Sequence, residues 1–203
     1  RADLEPNDVT PAKVLFGDRL VGVVINGVTK YVGEQLHRNF TSYLETQGIS
    51  LLGMIPEDRC LLGVSVSQLS GHLNGRILLG EEKADRLVEN LMLGALTLDS
   101  GTLYFKRRQN KAVIVRGDRP DIQMSALQTH TACIVSTNGI TPIEYVRYEA
   151  EQEDIPIVLV NTNTLSTTSA LESLLEQSQF DHPKKLERFR KLMSEFLDLK
   201  QLI

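Results

Sequence analysis

Asp118 and Arg119 are the residues of this chain whose types and spacing best support chemistry. They follow Gly117 and precede Pro120 and Asp121, in a charged turn that links an apolar run beginning at Lys111 to a short amphipathic segment. A second apolar run then ends in the polar turn Asn138-Gly139. An Asp at this place can accept backbone N–H bonds and cap a helix that starts near Pro120. Arg119 offers a planar fork able to hold a carboxylate or a phosphate, or to lock the loop at Asn138. The structural uses are preferred, because Asp at a helix entry is common and a ligand-binding Arg is rarer.

Other chemistries find little support. The four histidines, His37, His72, His130 and His182, are scattered singly without a recognisable metal-ligand spacing, so no metal site is expected. Cys60 and Cys133 lack a CxxC pairing and suit buried thiols in a reducing compartment. There is no G-x-S-x-G elbow, and no catalytic residue or cofactor is assigned. A net charge of -4 speaks against a nucleic-acid surface, which needs a clustered basic field. The one tight basic cluster, Lys106-Arg107-Arg108, reads as a solvated helix end. No apolar stretch approaches the roughly 20 residues that span a bilayer, and no signal peptide opens the chain, so a soluble, cytoplasmic protein without a membrane partner is expected. The sequence opens at Arg1 on a polar segment, which reads as a piece of a longer protein.

The elements that must position the turn follow from periodicity. The apolar runs on either side of segment 121–128 are β-rich and end in turn residues, whereas Ile122, Ala126 and Leu127 share one helical face. Strand, helix and strand make two parallel strands whose C-terminal loops lie on one edge, where α/β sheets usually hold ligands or partners. Upstream, a strand over 20–26, a helix over 32–47 with Leu36, Phe40, Tyr43 and Leu44 on one side, and a strand over 51–55 form a first βαβ unit. Between the units come a connector over 58–63, a helix over 66–73 capped by Ser65 or Ser67, a strand over 75–79 and a polar turn over 81–84. A single strand over 87–96 and a helix over 98–107 with Leu103 and Phe105 on its face lead into the charged turn. Downstream lie a helix over 142–153 with Ile143, Val146 and Ala150 inward, a strand over 157–160 and a helix over 164–175. A last amphipathic helix after Pro183 carries the stripe Leu186, Phe189, Met193 and Phe196, with Lys184, Lys185, Arg188, Arg190 and Lys191 on its remaining surface. The fold class is α/β, a mostly parallel sheet with flanking helices, plus an incomplete βαβ unit.

The phrases GVVIN and LLGMIPED resemble the C-terminal half of a dethiobiotin-synthetase-like P-loop domain. That resemblance implies that Asn26 sits where the family contacts the nucleotide base. The phosphate-cradling G-x-x-x-x-G-K-[ST] is absent from the 203 residues, so the piece is not expected to bind or hydrolyse ATP alone, and Asn26 reads as a polar strand end.

From about residue 66 to 177 the chain resembles the DRTGG domain family, through LLGEEKADRLVENLMLGAL, AVIVRGDRPDIQMSAL, the turn after CIVST, and IPIVLV followed by NTNTLST. Asp118-Arg119 matches the start of the family's name motif, while Pro120 replaces its Thr and Asn138-Gly139 stands where a Gly-Gly turn is expected. The family's fold is similar to the N-terminal domain of HPr kinase and to a domain of Mur ligases. The pair of resemblances is similar to the N-terminal regulatory half of long bacterial phosphate acetyltransferases. It implies a partial P-loop domain over 1–58, a DRTGG domain over 59–178 and a C-terminal helix over 179–203. The function implied is a non-catalytic regulatory and oligomerisation module that self-associates, with a following acyltransferase domain as a further partner, and with a ligand or regulatory edge made by Gly117, Asp118, Arg119, Asp121, Asn138 and Gly139. Two alternatives are a fragment of an ATP-dependent ligase or phosphoryl-transfer enzyme whose P-loop lies upstream, and a small anion or nucleotide sensor.

Overall fold

In the computed structural model, residues 5–29, 33–95, 101–174 and 177–198 are described. The chain divides into two compact units, one of Arg59–Asp181 and one that joins Arg1–Asp58 to His182–Ile203.

The Arg59–Asp181 unit is built on a five-stranded sheet. Its strands are β4 (Arg76–Leu79), β6 (Asn90–Leu93), β7 (Lys111–Arg116), β8 (Thr131–Thr137) and β9 (Ile157–Leu159), in the order β4-β9-β8-β7-β6. All neighbouring pairs are parallel except β4 with β9 at the edge. The centres of β7 and β8, residues 112–115 and 132–135, are unbroken apolar runs because both faces are covered. On one face Ala112, Ile114 and Val135 pack with Val66 and Leu69 of α4 (Val66–His72) and Leu171 of α8 (Thr164–Glu172). On the other, Val113, Val115 and Ile134 meet Phe105 of α5 (Gly101–Phe105), Ile122 and Ala126 of α6 (Pro120–Leu127), and Val146 and Ala150 of α7 (Glu144–Gln152). The α4 start is closed by a capping box in which Ser65, not Ser67, accepts from the Gln68 N–H.

Several expectations are corrected. The single strand over 87–96 is two: β5 (Leu87–Val88) pairs antiparallel with β3 (Val64–Ser65), and β6 joins β7 in parallel. The N–H groups of Glu89 and Asn90 both donate to the Asn110 carbonyl, which marks the place where the chain passes between sheets. The connector over 58–63 contains a helical turn, α3 (Arg59–Leu62). In α5 Phe105 is buried while Leu103 is 72% exposed, so Leu103 is not part of the inward face; residues 98–100 of that expected helix lie outside the described residues. Ile143 precedes α7 at its N-cap position and is exposed. The expected end of α8 at residue 175 also falls outside the described residues.

In the other unit β1 (Val23–Val28) and β2 (Leu51–Pro56) pair in parallel across α2 (Gly33–Thr46), with Ile25, Phe40, Leu44 and Ile49 as core. The side chain of Leu36 lies outside the described residues. The opening polar segment, to which the sequence assigned no element, forms a 3-10 turn (Pro6–Val9) and α1 (Thr10–Phe16). The C-terminal helix α9 (Pro183–Phe196) belongs here: the Asp198 N–H donates to the Leu52 carbonyl at 2.9 Å, and Arg188 pairs with Asp58 at 2.8 Å. Its inward stripe is turned from the expected one. Lys185 and Leu192 are buried, while Leu186 is 62% exposed and Phe196 is exposed as well.

Candidate functional site

The charged turn sits where β7 gives way to α6, on the C-terminal edge of the sheet. β7 ends at Arg116, whose guanidinium pairs with Asp118: Nε donates to Oδ1 at 3.0 Å and Nη2 to Oδ2 at 2.6 Å. Arg119 repeats the arrangement on Asp121, with Nε to Oδ1 at 2.9 Å and Nη2 to Oδ2 at 2.7 Å. Two fork-to-carboxylate pairs, each spaced two residues apart, thus stand in succession. The hydrogen bonds from Arg119 hold the Asp121 carboxyl below the usual carboxylate range.

This corrects the expected use of Asp118. The residue at the N-cap position of α6 is Arg119, with no side-chain cap, and Pro120 occupies the first turn, where a missing N–H is tolerated. Asp118 serves Arg116 instead, since a carboxylate two residues past a strand-end Arg meets its fork directly.

Gly117 and the Asn138-Gly139 turn are brought together. A Cβ on residue 117 would lie 1.9 Å from the Ile140 carbonyl oxygen, so only glycine lets that loop settle on the turn. Asn138 and Gly139 have φ of 67° and 66°, the left-handed pair of a tight Asn-Gly turn. Their N–H groups donate to the Thr162 and Val160 carbonyls at 2.9 and 2.8 Å, and Ser136 Oγ donates to the Ile140 carbonyl at 2.8 Å. The loops after β7, β8 and β9 are therefore fastened by backbone. Asn26, the remaining expected residue, is exposed in β1 of the other unit, in register with Ile55.

Gln123 was not anticipated. It has no exposed surface, and its Nε2 donates to the Arg116 and Gly117 carbonyls at 3.0 and 3.3 Å. Two carbonyl acceptors fix which end of the amide faces the turn, and Oε1 is left buried without a partner. The available signal was a Gln four residues before the buried Leu127 on the same helical face. Among the described residues no group of His, Cys, Asp and Glu could hold a metal ion. Burial pushes the Cys133 thiol up to about 12, out of the reactive range. No described helix is long and apolar enough to cross a membrane.

The comparisons bear on the same stretch. Phosphate acetyltransferase of Synechocystis sp. is 26% identical over 165 residues, covering 77% of this chain and 23% of that protein. The enzyme of Nitratidesulfovibrio vulgaris is 24% identical over 195 residues, 90% of this chain and 27% of that one. The Escherichia coli enzyme is 21% identical over 168 residues, 76% and 22% respectively. The chain thus spans about a quarter of the length of these relatives. Among solved structures, the CBS and DRTGG domains of the regulatory region of Clostridium perfringens pyrophosphatase, complexed with its activator diadenosine tetraphosphate, align with a TM-score of 0.50 at 15% identity, covering 88% of this chain and 90% of that one. That likeness supports the α/β architecture of a largely parallel sheet with flanking helices. The DRTGG domain matches residues 68–174, from α4 through the signature turn to the end of α8, and the chain belongs to the DRTGG domain family.

Proposed function

We propose that this chain is a non-catalytic regulatory and self-associating module of a larger phosphate acetyltransferase-like protein, working in the cytoplasm. The observation that carries the reading is the state of the signature turn. Its charged groups are engaged with one another, Arg116 with Asp118 and Arg119 with Asp121, rather than held apart around a reacting centre. Such an edge suits the transmission of a signal: Gly117, Asp118, Arg119, Asp121, Asn138 and Gly139 form a fastened surface that a partner or a ligand can read. The family match and the phosphate acetyltransferase relatives support the same reading.

A second reading, a small anion or nucleotide sensor, is favoured by the diadenosine tetraphosphate in the Clostridium perfringens regulatory region. A phosphate at this edge competes with Asp121 for the Arg119 fork.

Light scattering of the chain from micromolar to millimolar concentration tests the leading reading. A mass that climbs toward a dimer or higher assembly is expected, and a strictly monomeric mass throughout sinks it. Thermal shift with adenine nucleotides tests the second, which requires a shift that Arg119→Ala abolishes.

A further inference from the structure

The opposite end of the same sheet carries a group that the signature turn does not use. Lys111, the first residue of β7, has no exposed surface. Its ammonium donates to Thr129 Oγ1 at 2.8 Å and to the His130 carbonyl at 3.0 Å, so two of its three N–H groups are engaged. Among the described residues it has no carboxylate partner. A buried charge without a counter-ion is costly, and burial brings this ammonium down to about 8. Asn90, the register partner of Lys111, donates Nδ2 to the Gln109 carbonyl and keeps a buried Oδ1 that no group satisfies.

Thr129 and His130, which hold Lys111, are at the same time walls of a cavity of about 650 Å³. Lys106, Arg108, Gln128 and Glu153 also line it. Neither Lys106 nor Arg108 has an ion-pair partner among the described residues. Two cations in the lining and one behind its wall thus outnumber the single carboxylate there. Lys111 also reaches the C-terminus of α6 through Thr129, whose hydroxyl accepts from the ammonium and donates to the Ala126 carbonyl at 2.7 Å, but the half-charge of a helix end offsets only part of an ammonium.

We propose that this cavity is a binding site for a small phosphate ester, its phosphate held by Lys106 and Arg108 and drawn in by the positive field of Lys111 behind Thr129 and His130. A dianion matches the surplus of positive charge, where a monocarboxylate leaves part of it unbalanced. The Gln128 amide and the Thr129 hydroxyl add neutral polar groups. Glu153 repels a second anionic group but accepts a hydrogen bond, so the remainder of the ligand carries hydroxyl or amino groups rather than another acid. The volume falls in the usual range for small-molecule sites, roughly 300–1,000 Å³. The site is at the other end of the strands from Asp118 and Arg119, and the inference does not rest on the regulatory reading.

The test is calorimetric titration of the full chain with glycerol 3-phosphate and with inorganic phosphate, at constant ionic strength set by chloride. Saturable binding is expected, weakened about tenfold or more by the double substitution Lys106→Ala, Arg108→Ala, both at exposed positions that leave the core intact. Lys111→Met, checked for an unchanged circular dichroism spectrum, weakens it as well, whereas Arg119→Ala leaves it unchanged. Tighter binding of glycerol 3-phosphate supports the ester. Binding of neither probe, or binding that the double substitution does not weaken, overturns the proposal; preference for inorganic phosphate overturns the ester and leaves an anion site alone.

Discussion

At the scale of single residues, the chain places its charges in two contrasting ways. Around the signature turn, each Arg finds an Asp two residues later, and the pairs are partly exposed, with side-chain exposures of 55% and 44% for Arg116 and Asp118. Pairs of this kind contribute little to stability but fix where the forks point. Lys111 is the reverse: fully buried, held by a hydroxyl and a carbonyl, with its proton affinity lowered to about 8. Its ordinary value in the unfolded chain is 10.5, so between pH 8 and 10.5 the unfolded chain keeps a proton that the folded chain has released. The state that binds more protons is favoured by acid, so stability from this group rises with pH across that window and is flat below it. Replacing Lys111 with Met should therefore raise stability at neutral pH by on the order of 2 kcal/mol and remove that rise. Urea unfolding of both proteins at intervals from pH 7 to pH 10 measures the difference, and parallel curves would show that Lys111 is charged at no cost. Neither placement was legible beforehand. Residues two apart share a face only while a strand continues, and β7 ends at Arg116, so the period does not carry to Asp118; a Lys at a strand start, in turn, gives no sign of whether neighbouring loops will cover it.

At the scale of elements, the unit from β7 through α6 to β8 was readable because three signals agreed there. Both strands are buried on both faces and so have continuous apolar centres, residues 112–115 and 132–135, α6 has a helical face, and Gly117 and Asn138-Gly139 punctuate the turns. Legibility failed where one sequence run serves two sheets. Residues 87–93 are apolar on both sides of Glu89, and nothing in their periodicity tells that β5 turns to β3 while β6 turns to β7. It failed again at Gln123, since a polar side chain on a buried helix face declares its role only when the carbonyls it holds are in view. Gly117 was legible as a turn but not for its actual reason, which is the approach of the Ile140 carbonyl rather than a special backbone angle. Gly117→Ala must push the loop after β8 off the turn after β7. A loss of about 2–4 kcal/mol is expected in chemical denaturation, within the range of overpacked or strained core sites. Asn138→Gly, at φ 67°, should change stability by only about 1 kcal/mol or less, because the left-handed conformation suits glycine. Equal losses in the two variants would mean that the Ile140 loop yields easily.

At the scale of the whole molecule, one unit is made from both ends of the chain while the other is continuous. The continuous unit owns the five-stranded sheet and all of the family match. Among the described residues the unit formed from the ends has two parallel strands, α1, one crossover helix and α9, and α9 packs on β2 beside α2. Leu192 is buried there, the Leu52 carbonyl accepts from the Asp198 N–H, and Gly53 leaves room for the Phe196 carbonyl, which a Cβ would meet at 2.1 Å. An isolated parallel pair is a poor stand-alone structure. Removing residues 182–203 should therefore loosen one unit and spare the other. Hydrogen exchange followed by mass spectrometry reads this peptide by peptide: amides of 23–28 and 51–56 should exchange much faster in the shortened protein, while 111–116 and 131–137 keep their protection. The exposed Leu186→Ala should reproduce none of this, whereas the buried Leu192→Ala should reproduce part of it, by about 2–5 kcal/mol as for other buried leucines. Loss of protection in both units on truncation would show that the two fold as one cooperative body, and the division into a continuous unit and an end-built unit would then have no energetic meaning.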